Sequence, residues 1–199
     1  MASTTPFPDR SPTSSEGSLV LRLQRQESLA WHQWVELYSP LVYHWCRETG
    51  LAAADAADVM QDVFLSVARN VSRYRTVPGQ TFRGWMWTIT RNKIRDVARR
   101  RSRQVEATGG SSAYQHLLQW AEKDESEEPT SPPEAHALLH RALDQIKPEV
   151  APQTWEAFWR SVVAGEPTAQ IAADLRLTPN SVRQAKSRVL RRLRQQLGD

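Results

Sequence analysis

The chain has 199 residues, and its composition excludes several classes of protein. No apolar run approaches the roughly 20 residues that a membrane span needs, and the Ser- and Pro-rich start lacks the hydrophobic stretch of a secretory signal. The single cysteine, Cys46, excludes an internal disulfide and a zinc–thiolate cluster. We therefore expect a soluble, cytoplasmic protein without membrane insertion, and no motif indicates a cofactor.

The charge is unevenly distributed along the chain. The net charge is +4 and the isoelectric point is near 9.6. Seven basic residues and one acid lie between Arg91 and Arg103, and seven basic residues and no acid lie between Arg176 and Arg194. Six acids lie between them, from Glu122 to Glu134. Two basic segments around an acidic spacer favour an acidic polymer as the partner, although solvated arginine-rich helix faces would give the same pattern.

The first part of the chain predicts a helical domain over residues 18–102, preceded by a disordered extension over residues 1–17. Ser28 is predicted to cap one helix, and Ser39-Pro40 is predicted to begin another that ends at Gly50. The segment from Leu51 to Arg73 is the clearest amphipathic helix. After a turn at residues 78–79, Thr81 is predicted to cap a long helix that runs into the first basic cluster.

The second part of the chain predicts a smaller helical domain. Residues 103–133 contain the Gly-Gly-Ser-Ser and Pro-Thr-Ser-Pro-Pro breakers and five of the six acids from Glu122 to Glu134, which predicts a flexible linker with a short helix from Tyr114 to Ala121. Residues 134–199 then return to helical periodicity. No segment alternates with a period of two, so the sequence predicts an all-α fold with two small helical domains.

The last two helices have helix-turn-helix dimensions. Thr168 is predicted to cap the first of them, Leu177 to fill the turn, and Thr178 or Asn180 to cap the second. One face of the second helix carries side chains that can read base edges in a major groove, namely Arg183, Gln184, Ser187 and Arg188. Further along the helix lie candidates for phosphate contacts, namely Arg191, Arg192 and Arg194. A helical hairpin without a DNA role is the alternative.

The long helix after Thr81 shows a different nucleic-acid pattern, in which aromatic and polar residues alternate. The residues concerned are Trp85, Trp87, Arg91, Asn92, Arg95 and Arg99. Aromatic faces stack on unpaired bases and arginines follow the backbone, which suits single-stranded or melted DNA. Phe82 and Trp85 also share the apolar row of the helix, so taken singly they favour a place in the core.

Three segments of the sequence together resemble one protein family. Residues 55–65 resemble the D-x-x-D-x-x-Q-[DE]-x-F signature of region 2 in bacterial RNA polymerase sigma factors, and residues 82–92 resemble the F-x-x-W-L-x-x-I-A-x-N segment that follows it. Residues 171–188 resemble region 4. The order, spacing and length are similar to those of the extracytoplasmic-function group, whose members keep only domains 2 and 4. The resemblance covers about residues 19–101 and 134–197.

The resemblance implies a role for each candidate residue. Asp58, Gln61 and Asp62 match the face that docks on the clamp helices of the largest polymerase subunit. Asn92 matches the position that reads a flipped base of the −10 element, with the surrounding Trp87, Arg91, Arg95 and Arg99 close to the strand. Arg183, Gln184, Ser187 and Arg188 match positions that contact the −35 element. Core RNA polymerase and promoter DNA are the implied partners, and an anti-sigma factor is a further candidate.

Two departures from the family pattern lie in the helix-turn-helix. Arg176 occupies the turn position that often holds glycine, which predicts a strained or differently wound turn. Lys186 interrupts the apolar row, so its head is expected to reach outward to solvent.

Three other functions remain open from the sequence. A helix-turn-helix regulator that is not a polymerase subunit would explain the C-terminal helices but leave the signature at residues 55–65 unused. An adaptor could bind polymerase without selecting promoters. His136 and His140 have a spacing that could hold a metal, but they do not form a zincin motif. We found no phosphate-binding loop and no nucleophile motif, so we expect no enzymatic activity.

Overall fold

The computed structural model describes residues 17–105 and 129–198, and these residues form helices without strands. The first block contains α1 (Leu19–Gln24), α2 (Ser28–Glu48), α3 (Ala53–Asn70) and α4 (Phe82–Val105), with a 3-10 turn at Val71–Arg73. The second contains α5 (Pro132–Ile146), α6 (Pro152–Val162), α7 (Thr168–Asp174) and α8 (Pro179–Leu197), with a 3-10 turn at Lys147–Glu149. The all-α prediction is confirmed. The predicted N-terminal extension and nearly all of the acidic linker lie outside the described residues.

The core of the first block follows from the helical periodicity of the apolar residues. On α3 the residues Val59, Val63 and Val67 recur every four positions and are all buried. They pack against α2 and α4, where Trp34 and Met86 are also buried. The opposite face of α3 remains in solvent. The buried side holds α3 in place, so its solvent-facing side is a polar surface on a rigid helix.

Helix α2 continues through Pro40, so the predicted break at Ser39-Pro40 is wrong. Proline removes one backbone hydrogen bond, the one that would run to the carbonyl of Glu36. Both Glu36 and Pro40 are exposed, so water can hydrogen-bond that carbonyl. Leu37 and Leu41 lie on the buried face and hold the two halves of α2 on the same core. Packing therefore outweighs the local cost of the proline.

Two of the predicted helix caps, Thr81 and Thr178, are confirmed by the structure. The amide of Gly84 donates to Thr81 Oγ1 over 3.0 Å at the start of α4, and the amide of Ser181 donates to Thr178 Oγ1 over 3.1 Å at the start of α8. Ser28 and Thr168 are the first residues of their helices rather than the caps, which are Glu27 and Pro167. These two predictions were displaced by one residue.

The two blocks share one hydrophobic core. Buried residues of α5 and α8, including Ile146 and Leu193, belong to the same cluster as the buried residues of α1 to α4. A smaller cluster lies under the helix-turn-helix and contains Ala157, Ile171, Ala172, Val182 and Ala185. No pattern in the sequence indicates that the two blocks pack on each other. No helix in the described part of the chain is long and apolar enough to cross a membrane.

Candidate polymerase and DNA interfaces

The three polar residues predicted to bind polymerase lie together at one cleft between α3 and α4. Asp58 and Gln61 are exposed and Asp62 is half-buried. The cleft has a volume of about 440 Å³ and is lined by Asp55, Asp58, Val59, Gln61, Asp62, Leu65, Val97 and Arg100. The predicted face therefore exists as a concave surface. Its negative side comes from α3, and Arg100 of α4 adds a cation to the described lining.

Sequence reasoning missed the apolar part of this cleft. The Leu65 side chain is 54% exposed although it lies on a helix whose other face is well packed. An exposed leucine beside carboxylates is typical of a protein-binding surface, where apolar contact supplies affinity and charge supplies orientation. The spacing of residues 58, 61, 62 and 65 on one helix face was the available signal.

Helix α4 presents a polar stripe that includes the predicted base-reading residue. Asn92 is exposed, and Thr88 and Arg99 lie one turn before it and two turns after it on the same side. Arg91 and Arg95 flank the stripe and are half-buried. The Arg99 side chain is 74% exposed and lies 3.9 Å from Asp96. The stripe therefore presents an amide, a hydroxyl and guanidinium groups to solvent in one line.

The prediction that Trp87 contacts DNA disagrees with the structure. Trp87 is only 2% exposed, and its ring packs edge-on against Trp45 with 5.4 Å between the centroids. Phe82 is fully buried, and Trp85 packs against both Phe82 and Tyr74 at centroid distances of 5.5 and 5.0 Å. Aromatic residues near the start of α4 thus hold it on the core. Trp87 is therefore a core residue and is not placed to contact DNA.

The recognition face of α8 is exposed to solvent across its first turns. Arg183, Gln184, Ser187 and Arg188 are all exposed, and the opposite side is anchored by buried Val182, Ala185 and Val189. Lys186 is also exposed, because the buried row passes through Ala185. The expectation that Lys186 interrupts the apolar row is therefore wrong. Lys186 adds a cation to the same exposed surface.

The structure corrects the role of Arg192. Its side chain is 14% exposed, and both Nε and a terminal nitrogen contact Glu149 Oε2, over 2.8 and 2.7 Å. Arg192 thus ties α8 to the 3-10 turn between α5 and α6 instead of pointing toward DNA. Arg191 and Arg194 are exposed, and their role as phosphate contacts stays a prediction.

Two features fix the geometry of the turn between α7 and α8. Arg176 has φ 53°, so it adopts the left-handed conformation for which glycine is usual, as its position in the motif predicts. The amide of Leu177 donates to the carbonyl of Ala172 over 2.8 Å and closes the turn. The side-chain amide of Gln153 on α6 donates to the carbonyl of Leu175 over 2.8 Å. The turn is therefore held from both sides.

A charged cluster joins α6 to α7. Arg160 Nε lies 3.0 Å from a carboxylate oxygen of Glu166, and its terminal nitrogen also reaches Asp174. The hydrogen bonds to Glu166 and Asp174 raise the pKa of Arg160, and the bond from Arg160 lowers the pKa of Glu166. Arg160 and Glu166 are therefore charged near neutral pH. The cluster sets the orientation of α7 against which the recognition helix packs.

The histidine pair on α5 shows no metal-site geometry. The rings of His136 and His140 pack edge-on with 4.6 Å between centroids. In the described ranges, no group of three or more histidine, cysteine or acidic side chains is placed to hold a metal ion.

Comparisons with known proteins point to one family. Residues 34–104 match the family model for sigma-70 region 2. The chain is 32% identical over 146 residues to the RNA polymerase sigma factor CarQ of Myxococcus xanthus, covering 72% of this chain and 75% of CarQ. It is 33% identical over 121 residues to the ECF RNA polymerase sigma factor SigE of Mycolicibacterium smegmatis, covering 60% of this chain and 44% of SigE. The ECF RNA polymerase sigma factor BldN of Streptomyces coelicolor is 25% identical over 181 residues, which cover 91% of this chain and 65% of BldN.

Proposed function

Because this chain belongs to the extracytoplasmic-function group of RNA polymerase sigma factors, which direct transcription initiation, we propose that its α3–α4 cleft is the surface that binds core polymerase. The observation that supports this most strongly is the clustering of Asp58, Gln61 and Asp62 around exposed Leu65. We place its action in the cytoplasm, where RNA polymerase works. The alternative of a regulator outside the polymerase would leave this cleft without a function.

We propose that the two basic helices read different forms of promoter DNA. Asn92 on α4 reads an unpaired base of the −10 element, with Arg91, Arg95 and Arg99 following the strand. An exposed amide flanked by guanidinium groups supports this, since it can hydrogen-bond a base edge while the cations neutralise phosphates.

The recognition face of α8 reads the −35 element as duplex in the major groove. Arg183 can form two hydrogen bonds to a guanine edge, and Gln184 can do the same for adenine. Arg191 and Arg194 contact phosphates and position the helix. The exposure of all these side chains on one anchored helix supports the assignment.

The cleft assignment is tested by reversing its charge. The double substitution Asp58→Arg with Asp62→Arg should weaken binding to core polymerase at least tenfold, because two attractive contacts become repulsive. Affinity is measured by fluorescence titration of labelled protein with core enzyme. Both residues face away from the buried side of α3, so circular dichroism should show unchanged helix content.

A matched control makes the same change in charge away from the cleft. Glu36 and Glu48 lie on α2, and their side chains are 57% and 60% exposed. Glu36→Arg with Glu48→Arg should leave the affinity for core polymerase within about twofold of the wild type. Both residues lie away from the cleft, and the ion pairs that they form with His32 and His44 at the surface contribute little to stability. Equal losses in the two double variants would show that total charge, and not the cleft, controls binding.

A further inference from the structure

A cavity at the junction of α5 and α6 lies apart from the residues assigned to polymerase and DNA. It has a volume of about 740 Å³, which is in the usual range for a ligand pocket. Its walls are mainly apolar, and the residues that form them are Leu143, Pro148, Val150, Pro152, Trp155 and Trp159. The rings of Trp155 and Trp159 stack at 24° with 6.1 Å between their centroids. We call this cavity the α5–α6 groove.

The two tryptophans of the groove are incompletely covered by the rest of the protein. Both are half-buried, whereas Phe158 on the inner face of α6 is 2% exposed. Aromatic rings left partly in solvent are typical of grooves that bind proline-rich segments, because a polyproline II segment is already extended and loses little entropy when it binds. The groove therefore suits an extended ligand that contains proline.

Charged side chains at the rim of the groove narrow the choice of ligand. Asp144 and Glu156 are exposed acids, and Lys147 Nζ lies 5.8 Å from the centroid of the Trp155 ring. An arginine beside the prolines of a ligand can pair with the two carboxylates, and an adjacent acid can pair with Lys147. Two other cavities lack this combination in their described linings. The α3–α4 cleft has no aromatic residue, and the cavity at the start of α5 has no carboxylate.

The N-terminal extension of the same chain carries a complementary sequence. Residues 6–10 read Pro-Phe-Pro-Asp-Arg. They place two prolines around an aromatic residue and follow them with one acid and one arginine. The apolar part matches the tryptophan-lined wall, and the two charges match the rim in sign. These residues lie outside the described part of the chain, and neither the polymerase nor the DNA interface uses them.

The extension is long enough to reach the groove. It leads into α1, where a Cβ atom built on Gly198 would lie 2.8 Å from Val20 Cγ2. Arg192 lies about 9 Å before Gly198 along α8, and its Nε lies 2.8 Å from Glu149 Oε2, next in sequence to two residues of the groove wall. This path from Val20 to the groove measures at most about 30 Å. The chain from Pro8 to Val20 can span about 35 Å.

We propose that the α5–α6 groove binds the Pro-Phe-Pro-Asp-Arg segment of its own chain, residues 6–10. Phe7 and the flanking prolines cover the two tryptophans, Arg10 pairs with the two carboxylates of the rim, and Asp9 pairs with Lys147. Ion pairs at such a rim are individually weak, but the tether keeps the effective concentration of the segment in the millimolar range. Weak contacts are therefore sufficient. The proposal is independent of the proposed function, because it uses no contact with polymerase or DNA.

A photochemical cross-link in the full-length chain tests the contact directly. Phe7 is replaced by p-benzoylphenylalanine, which on irradiation bonds to C–H groups close to it. The sequence places one tryptic peptide at residues 1–10 and another at residues 142–160, which carries both tryptophans and both carboxylates of the groove. We expect mass spectrometry of the monomeric protein to find these two peptides joined.

Charge reversal at the rim provides the matched comparison. Asp144→Arg with Glu156→Arg should lower the yield of the cross-link by about threefold or more, because the rim then repels Arg10. Glu36→Arg with Glu48→Arg makes the same change in charge on α2 and should leave the yield within about twofold of the wild type. Arg10→Glu leaves every described residue unchanged and should lower the yield as the rim reversal does. The yield is the fraction of the N-terminal tryptic peptide that is lost on irradiation.

Three results would overturn the proposal. Cross-links confined to other peptides, or no cross-link within the chain, would show that the segment does not occupy the groove. A covalent dimer as the main product would show that a second copy of the chain supplies the contact. An equal yield in the wild type, the rim reversal and Arg10→Glu would show that charge complementarity has no part in the contact. None of these results depends on transcription, so none of them bears on the proposed function.

Discussion

The structure and the sequence pattern make opposite predictions about Arg192 on the DNA-binding helix α8. The pattern of α8 predicts a phosphate contact, whereas the structure pairs Arg192 with Glu149 at 2.8 Å in a largely buried position. Hydrogen bonds between charged groups contribute about 1.5–3 kcal/mol. Arg192→Ala should therefore lower the free energy of unfolding by about 2 kcal/mol, which lowers Tm by roughly 4–8 °C in a domain of this size.

The neighbouring Arg191 supplies the matched control, because it is exposed on the same helix. Arg191→Ala should leave Tm unchanged and reduce the slope of log Kd against log salt by about 0.9, the value for one lost phosphate contact. Arg192→Ala should leave that slope unchanged. The measurements are thermal melts followed by circular dichroism, and fluorescence-anisotropy titrations of −35 duplex at several salt concentrations. A reduced slope with an unchanged Tm in Arg192→Ala would refute this account of the pair.

Two further predictions concern the backbone and the buried thiol. Arg176→Gly should raise the free energy of unfolding by about 0.5–1 kcal/mol in urea titrations, because glycine adopts the left-handed conformation of this position without strain. Arg176→Ala keeps the Cβ and should not raise the free energy of unfolding. An equal gain in both variants would contradict the reason given. Burial raises the pKa of Cys46 to about 12, whereas an unperturbed cysteine has a pKa of about 8.5. Above pH 8.5 the thiol therefore loses its proton in the unfolded state but keeps it in the folded state, so the free energy of unfolding falls as pH rises. Relative to Cys46→Ala, the free energy of unfolding of the wild type should fall by about 2 kcal/mol between pH 8.5 and 10. Parallel curves of stability against pH for the two proteins would contradict the raised pKa of a buried Cys46.

The parts of the fold that depend on local sequence could be predicted, and those that depend on distant contacts could not. The amphipathic pattern of α3 specifies which side is buried, so the polar face around Asp58 was predicted correctly. Arg176 was predicted from its place in the motif to be a special turn residue, and its φ of 53° agrees. Pro40 was misread as a helix start, because packing of the leucines on either side decides that α2 continues.

The errors at the candidate site have the same physical origin. Trp87 and Arg192 have residue types that suit DNA, but their positions on the helix turn them toward Trp45 and Glu149. Those partners are 42 and 43 residues away in sequence, so no local pattern reveals them. The packing of the two blocks is equally hidden, since Gly198 looks like an ordinary helix C-cap until Val20 is placed beside it.

The most direct test of the account is protein-dependent transcription by core RNA polymerase from the organism that encodes this chain. Fragmented genomic DNA serves as template, and the 5′ ends of the transcripts are mapped with and without the protein. The account predicts new transcripts whose start sites share one sequence element near −10 and another near −35, and predicts their loss with Asp58→Arg and Asp62→Arg. Transcripts that are the same with and without the protein, under conditions where it binds core polymerase, would contradict the central claim.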